Sequence, residues 1–160
     1  MRAAVIVFPG SNCDHDAYYA LKTILRNEVD FIWHKENNLV GYDFILVPGG
    51  FSYGDYLRAG AIARFSPIME EIIKSSKSGT TIMGICNGFQ ILIESGLLPG
   101  SLINNKNVKF LSRNVTLNVT STTSIFTQNL IENQKLKMPI AHKQGNFFAP
   151  IDMIKQLQDE

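Results

Sequence analysis

The chain has 160 residues, which is enough for one domain with a hydrophobic core but short for two. Its 15 basic and 14 acidic residues give a formal net charge of +1, so nothing in its charge predicts binding to nucleic acid or to a membrane. Two cysteines are too few for a disulfide framework, three histidines lie far apart, and no apolar stretch approaches the ~20 residues of a membrane span. We therefore expect a cytoplasmic protein with no metal or other cofactor.

Apolar, β-branched runs alternate with helical patterns in the first two-thirds of the chain, which is typical of βαβ units around a parallel sheet. The patterns predict strands at Ala3–Phe8, Val29–Trp33 and Phe44–Val47. They predict helices at Asp14–Asn27 and Ile62–Ser75, with a loop at Gly54–Gly60 before the second helix. Pro67 should lie near the first turn of the second helix or kink it.

The next patterns predict a strand at Thr80–Ile85 and a helix at Asn87–Ser95, which Gly96 should end. Further strands are predicted at Val108–Leu111 and Asn114–Thr120. The tail is interrupted by Pro139 and Pro150. A short terminal helix is predicted after them, at Ile151–Leu157.

Cys86 lies where a predicted strand passes into a predicted helix, between Gly84 and Gly88. Hydrolases with serine at this place hold their nucleophile on a tight, strained turn, and the flanking glycines leave room for it. The helix N-terminus favours a thiolate, and the N–H of Asn87 is well placed to stabilise an oxyanion. Because free cysteines are commonly buried, a structural thiol is the alternative, but this context favours a nucleophile.

Two other glycine-rich turns follow predicted strands. Gly49 and Gly50 come just after Phe44–Val47, at the carboxyl edge where open α/β sheets bind ligands, so their N–H groups would supply a second oxyanion donor. A simple strand-end turn is the alternative. Gly10 follows the first strand, but the chain lacks the dinucleotide-binding and P-loop motifs, so nucleotide binding has no specific support.

Four segments together resemble the class I glutamine amidotransferases, and more narrowly the glutaminase subunits of phosphoribosylformylglycinamidine synthase. These segments are Phe8–Asp14, Pro48–Arg58, Gly84–Gln90 and Pro139–His142. The cysteine elbow is shared across the superfamily, whereas Pro48–Arg58 is more particular to this subunit. The resemblance covers essentially the whole chain. It implies an α/β fold with a doubly wound, mostly parallel, flavodoxin-like sheet and the elbow at its carboxyl edge.

The resemblance also implies roles for individual residues. Cys86 would attack the side-chain amide of glutamine to form a thioester, and ammonia would leave before water releases glutamate. Backbone donors at Gly50 or Phe51, together with Asn87, would stabilise the oxyanion. Glutamine itself would be bound by Gly49, Gln90, Ser112, Arg113 and Asn114. The ammonia would pass to a PurL-like, ATP-consuming synthetase subunit that amidates formylglycinamide ribonucleotide in purine biosynthesis, often with a small PurS-like subunit.

The chain departs from this family at its end. Family members are longer and complete the triad with a His-Pro-Glu-type element, and nothing like it occurs before Glu160. The resemblance aligns His142 with a non-triad histidine. We therefore expect residues 1–160 to be one amidotransferase domain without its C-terminal part, and a poor glutaminase, because losing the general base can cost about six orders of magnitude in turnover.

Two other interpretations stay open. The chain could be a non-catalytic subunit or remnant that docks to the synthetase; the missing triad element favours this, and the intact cysteine and oxyanion segments argue against it. It could instead be a PfpI-type cysteine hydrolase, which shares the elbow but acts on other substrates or senses oxidation. Asn87, Gln90 and Pro48–Arg58 favour glutamine over that interpretation.

Overall fold

A computed structural model describes residues 1–159. The chain divides into two compact units: the first joins Met1–Ile103 to the segment from Asn146 onward, and the second is Asn104–Gly145. That residues 1–160 act as one amidotransferase domain stays a prediction.

The first unit is built on a four-stranded sheet in the order β2-β1-β3-β4. Every neighbouring pair in it is parallel. The strands are β1 at Arg2–Val7, β2 at Glu28–Trp33, β3 at Phe44–Val47 and β4 at Thr81–Gly84. All four residues of β3 are buried, as expected for a strand covered on both faces.

Helices cover both faces of this sheet. They are α1 at Asp14–Tyr19, which continues as a π-helical turn at Ala20–Ile24, α2 at Pro67–Lys77 and α3 at Asn87–Glu94. Leu21 packs with odd-numbered β1 residues in one cluster, whereas Ile68 and Ile91 pack with even-numbered β1 residues in another. Successive residues of a strand point to opposite faces, so the two clusters lie on opposite sides of the sheet. The predicted doubly wound, mostly parallel sheet is confirmed.

Two predicted helices have different bounds in the structure. The helix predicted at Asp14–Asn27 is α-helical only to Tyr19 and ends at the π-helical turn. The helix predicted at Ile62–Ser75 begins at Pro67 and runs to Lys77, after a separate 3-10 turn at Ala63–Phe65. A proline fits the first helical position because its missing N–H would have no partner there anyway.

The first unit also contains elements that the sequence patterns missed. Strands β5 at Ser101–Ile103 and β8 at Asn146–Phe148 pair antiparallel, and α4 follows at Ile151–Asp159, close to the predicted terminal helix. Three-residue strands are too short to show an alternating pattern, which is why β5 and β8 were not predicted.

The second unit contains an antiparallel ribbon of β6, Leu111–Asn118, and β7, Lys135–His142. The strand predicted at Val108–Leu111 was wrong, since β6 includes only Leu111 of it, whereas β6 contains Asn114–Asn118 of the strand predicted at Asn114–Thr120. Pro139 does not interrupt the chain but pairs with Asn114 inside the ribbon. Each strand of a two-stranded ribbon is an edge strand, and edge strands tolerate the missing N–H of proline.

Across residues 1–159, no helix combines the length and apolar character needed to cross a bilayer. The histidine, cysteine and acidic side chains of the same range do not gather in groups of three or more that could hold a metal ion.

Candidate active site

Cys86 lies on a strained turn between β4 and α3. Its backbone has φ 53° and ψ −111°, and it precedes the first residue of α3. A positive φ is uncommon for a residue with a Cβ and occurs where the surrounding structure enforces it. The N–H of Ile85 donates to the carbonyl O of Val47 at 3.0 Å, which ties the turn to the end of β3. The thiol is exposed, so a reactant can reach it at the N-terminus of the helix.

The two glycines around Cys86 are required by close backbone packing. A Cβ on Gly84 would lie 2.7 Å from the carbonyl C of Gly88, and a Cβ on Gly88 would lie 1.9 Å from the carbonyl O of Val47. Neither position has room for even a methyl group. The Gly-x-Cys-x-Gly spacing therefore reflects how tightly the start of α3 packs on the ends of β3 and β4.

The segment after β3 runs beside the loop that follows β1. The N–H of Cys13 donates to the carbonyl O of Gly49 at 3.2 Å, and the N–H of Phe51 donates to the carbonyl O of Gly10 at 3.0 Å. Because the Phe51 N–H already has this acceptor, the prediction that Phe51 donates to the oxyanion is not supported by the structure. Of the two alternatives, Gly50 is the better candidate for the second donor.

Cys13 lies close to Cys86, which no sequence pattern indicated. A Cβ on Gly49 would lie 3.3 Å from the Cβ of Cys86 and 3.4 Å from the Sγ of Cys13, so both thiol-bearing residues border the same glycine. Burial raises the pKa of the Cys13 thiol above its usual value, and Asp16 and the neighbouring Cys86 raise it further. Cys13 should therefore be less ionised than an ordinary exposed thiol.

A test of this difference is the pH dependence of alkylation in a Cys86→Ala variant. We expect the rate at which iodoacetamide modifies Cys13 to rise with a midpoint above the usual thiol pKa of 9.0, because only the thiolate reacts. Peptide mapping by mass spectrometry would follow the reaction. The same peptide in urea is the control, and a midpoint in the folded protein at or below the unfolded one would contradict the assignment.

Asn87, the first residue of α3, carries a buried hydrogen-bonding side chain. Its Oδ1 accepts from the N–H of Ser52 at 3.0 Å, and its Nδ2 donates to Asp55 Oδ1 at 3.2 Å and to Gln90 Oε1 at 3.0 Å. Burial raises the pKa of Asp55, and the hydrogen bond from Asn87 opposes that rise. Gln90, predicted to bind glutamine, is thus connected to the glycine-rich segment through Asn87.

The three histidines have other contacts in the structure. His15 is an exposed residue of α1 beside Asp14. His34 is buried, and its Nδ1 lies 2.9 Å from the hydroxyl of Tyr53. Burial and the charge of Lys35 lower the pKa of His34, which favours the neutral imidazole. His142 belongs to the second unit, where its Nδ1 lies 3.0 Å from Asn105 Oδ1.

The remaining predicted glutamine-binding residues are in the second unit. Ser112, Arg113 and Asn114 are exposed residues of β6. Cys86, Gly49, Gly50, Asn87 and Gln90 all belong to the first unit. The structure therefore brings together the nucleophile, the glycine segment and the start of α3, whereas the role of the three β6 residues stays a prediction.

Comparison with known proteins agrees with this geometry. Residues 1–160 match the family of CobB/CobQ-like glutamine amidotransferase domains. The chain is similar to a chain in the structure of PurLQS from Thermotoga maritima, with 47% identity, a TM-score of 0.89, and coverage of 94% of this chain and 70% of that one. A glutamine amidotransferase from the same organism shares the fold at 18% identity and a TM-score of 0.62, with coverage of 94% and 64%.

The family match spans the nucleophile elbow, the glycine segment and the second unit alike. Together with the 47% identity to one relative, this match bases the family assignment on the whole chain and not on the cysteine motif alone. The chain belongs to the family of CobB/CobQ-like glutamine amidotransferase domains.

Proposed function

We propose that this chain is a PurQ-like glutaminase subunit that releases ammonia from glutamine for the ATP-dependent amidation of formylglycinamide ribonucleotide in purine biosynthesis. The observation that carries the proposal is the exposed Cys86 thiol on a positive-φ turn at the N-terminus of α3. This geometry presents a nucleophile at a helix N-terminus, where the N–H of Asn87 would donate to the oxygen of the reacting group.

The proposed reaction proceeds through a thioester. The Cys86 thiolate adds to the side-chain amide carbon of glutamine, and the N–H groups of Asn87 and Gly50 stabilise the oxyanion that forms. The amide nitrogen takes up a proton from a general acid and leaves as ammonia when the C–N bond breaks. Water then adds to the thioester carbon, and glutamate departs as the C–S bond breaks and the thiol is restored.

The proposed partners follow from the similar structure. The relative at 47% identity is described as PurLQS, which supports a PurL-like synthetase subunit and a small PurS-like subunit as partners in a cytoplasmic complex. The ammonia would be consumed by the synthetase with ATP. The glutaminase step itself needs no cofactor, because the nucleophile and the oxyanion donors come from the chain.

The test is covalent labelling with 6-diazo-5-oxo-norleucine, a diazoketone analogue of glutamine, followed by intact mass spectrometry and peptide mapping. We expect one adduct per chain, on Cys86, and we expect excess glutamine to block it. Cys86→Ala should give no adduct, whereas Cys13→Ala should be labelled like the unmodified protein. Cys13→Ala is a matched control because it removes the other thiol that borders Gly49.

The other interpretations predict different results. A docking subunit without a working glutamine site would give no adduct while remaining folded. A PfpI-type hydrolase would react with iodoacetamide at Cys86 but would not be protected by glutamine. Labelling of Cys86 that excess glutamine blocks would contradict both of these interpretations.

A further inference from the structure

We propose that the side chain of Asn87 is a positioning residue that holds the oxyanion loop, defined as Gly49–Asp55, against the nucleophile helix α3. By holding the oxyanion loop in this place, the Asn87 side chain would let the N–H of Gly50 and the N–H of Asn87 face the same oxyanion. This proposal rests on the glutaminase function and assigns a separate role to the Asn87 side chain, distinct from that of its backbone N–H.

The hydrogen bonds of Asn87 fix how its amide group is turned. The backbone N–H of Ser52 can only donate, so the atom 3.0 Å from it must be the amide oxygen. The amide nitrogen then donates to Asp55 and to Gln90. Asn87 is only 2% exposed, so water does not compete strongly for these bonds. One side chain thus binds the middle and the end of the oxyanion loop to α3.

The oxyanion loop needs such contacts because its backbone is strained. Tyr53 and Asp55 have φ values of 53° and 54°, although neither is a glycine. A non-glycine residue in this conformation is strained and persists only where neighbouring contacts enforce it. On one side the loop after β1 holds the segment, since the N–H of Tyr53 donates to the carbonyl O of Pro9. Asn87 provides a connection on the side of the nucleophile.

Removing the Asn87 side chain would leave polar groups without partners. The Ser52 N–H and the half-buried Asp55 carboxylate would lose their hydrogen bonds to Asn87, and a buried polar group without a partner is costly. The loop can relieve this cost by moving away from α3 toward water. Such a movement would separate Gly50 from Asn87 while leaving the Cys86 thiol exposed and reactive.

The experiment compares two reagents for Cys86 in the whole protein. The diazoketone places its ketone oxygen where the glutamine amide oxygen would lie, so its rate depends on the oxyanion donors. Iodoacetamide requires only an accessible thiolate. In Asn87→Ala we expect labelling by the diazoketone to slow by about 10- to 100-fold, as for a displaced catalytic group, and labelling by iodoacetamide to change by less than about threefold.

An exchange of the two side chains separates positioning from a general structural effect. Asn87→Asp alone keeps the acceptor for Ser52 but sets two carboxylates at the 3.2 Å contact, so diazoketone labelling should fall. In Asn87→Asp/Asp55→Asn, the amide introduced at position 55 donates to the carboxylate introduced at position 87, and Gln90 can turn its amide to donate as well. We expect the double variant to recover diazoketone labelling to within about threefold of the unmodified protein, because all three hydrogen bonds are restored.

Two results would overturn the proposal. One is unchanged diazoketone labelling of Asn87→Ala, and the other is a double variant that labels no faster than Asn87→Asp alone although circular dichroism shows it folded. Either result would leave the glutaminase function standing as long as the unmodified protein is labelled and glutamine protects it. If the unmodified protein is not labelled, the proposed glutaminase function is contradicted. The proposal for Asn87 is then contradicted as well, because it rests on that function.

Discussion

Replacement of Gly88 by alanine is expected to destabilise the protein by about 3 kcal/mol and to abolish diazoketone labelling of Cys86. The added Cβ would lie 1.9 Å from the carbonyl O of Val47 and 3.0 Å from that of Pro48. Both contacts are with backbone, so no side-chain rotation can relieve them. The start of α3 would have to move away from the end of β3, and Cys86 would move with it.

The control for this variant is Gly79→Ala. Gly79 has a positive φ of 85°, but a Cβ there would meet nothing within 4 Å. The control therefore measures backbone strain without a clash, and we expect it to cost about 1 kcal/mol and to leave labelling unchanged. Urea unfolding, with labelling rates on the folded proteins, would test the pair. Equal losses of stability in both variants would show that packing at Gly88 is less tight than the structure indicates.

Ile45→Ala should destabilise the first unit by about 2–5 kcal/mol. Ile45 is fully buried in β3, where it pairs with Ala4 of β1 and Ile82 of β4 and packs in the cluster that holds α2 and α3. Truncating it removes three carbons from a region enclosed by strands and helices, and the parallel sheet cannot collapse to fill the space.

Trp33 makes this measurement specific to the sheet. It is the one tryptophan of the chain and lies on β2, so its fluorescence reports unfolding of the first unit. The matched control is Ile24→Ala, the same substitution at a residue that is 66% exposed, and its effect should stay within about 0.5 kcal/mol. If the two substitutions shift the urea midpoint equally, the core assigned to β3 is wrong.

The central sheet followed from local patterns. Strand β3 has the predicted bounds, and β1, β2 and β4 differ from prediction only at their ends. The two central strands, β1 and β3, are covered on both faces and show continuous apolar runs that can be recognised without knowledge of their neighbours, whereas the edge strand β2 is partly exposed and includes Asp30. The turn at Cys86 was also predictable from the sequence, because both flanking glycines lie two positions from the cysteine, although the contact that requires Gly88 is with distant Val47. The role of Cys86 as a nucleophile remains a proposal.

The elements after α3 were poorly predicted because their pairing is not local. Strand β7 contains a proline and has no long apolar run, and its partner β6 is a separate segment earlier in the chain, with pairs from Asn118 and Lys135 to Leu111 and His142. Only the ribbon geometry shows that a proline is tolerated there. The short strands β5 and β8 likewise form because distant segments meet, not because either has a strong preference of its own.

By itself the sequence determined the parallel sheet, the elbow and the candidate nucleophile. Tertiary structure alone decided which groups surround that nucleophile. The Phe51 N–H is taken by Gly10, Cys13 borders the glycine beside Cys86, and the Asn87 side chain bonds to Ser52. The physical reason is range: periodicity and turn chemistry act over a few residues, whereas these contacts join positions 35 or more apart and form only when the loops meet at one edge of the sheet.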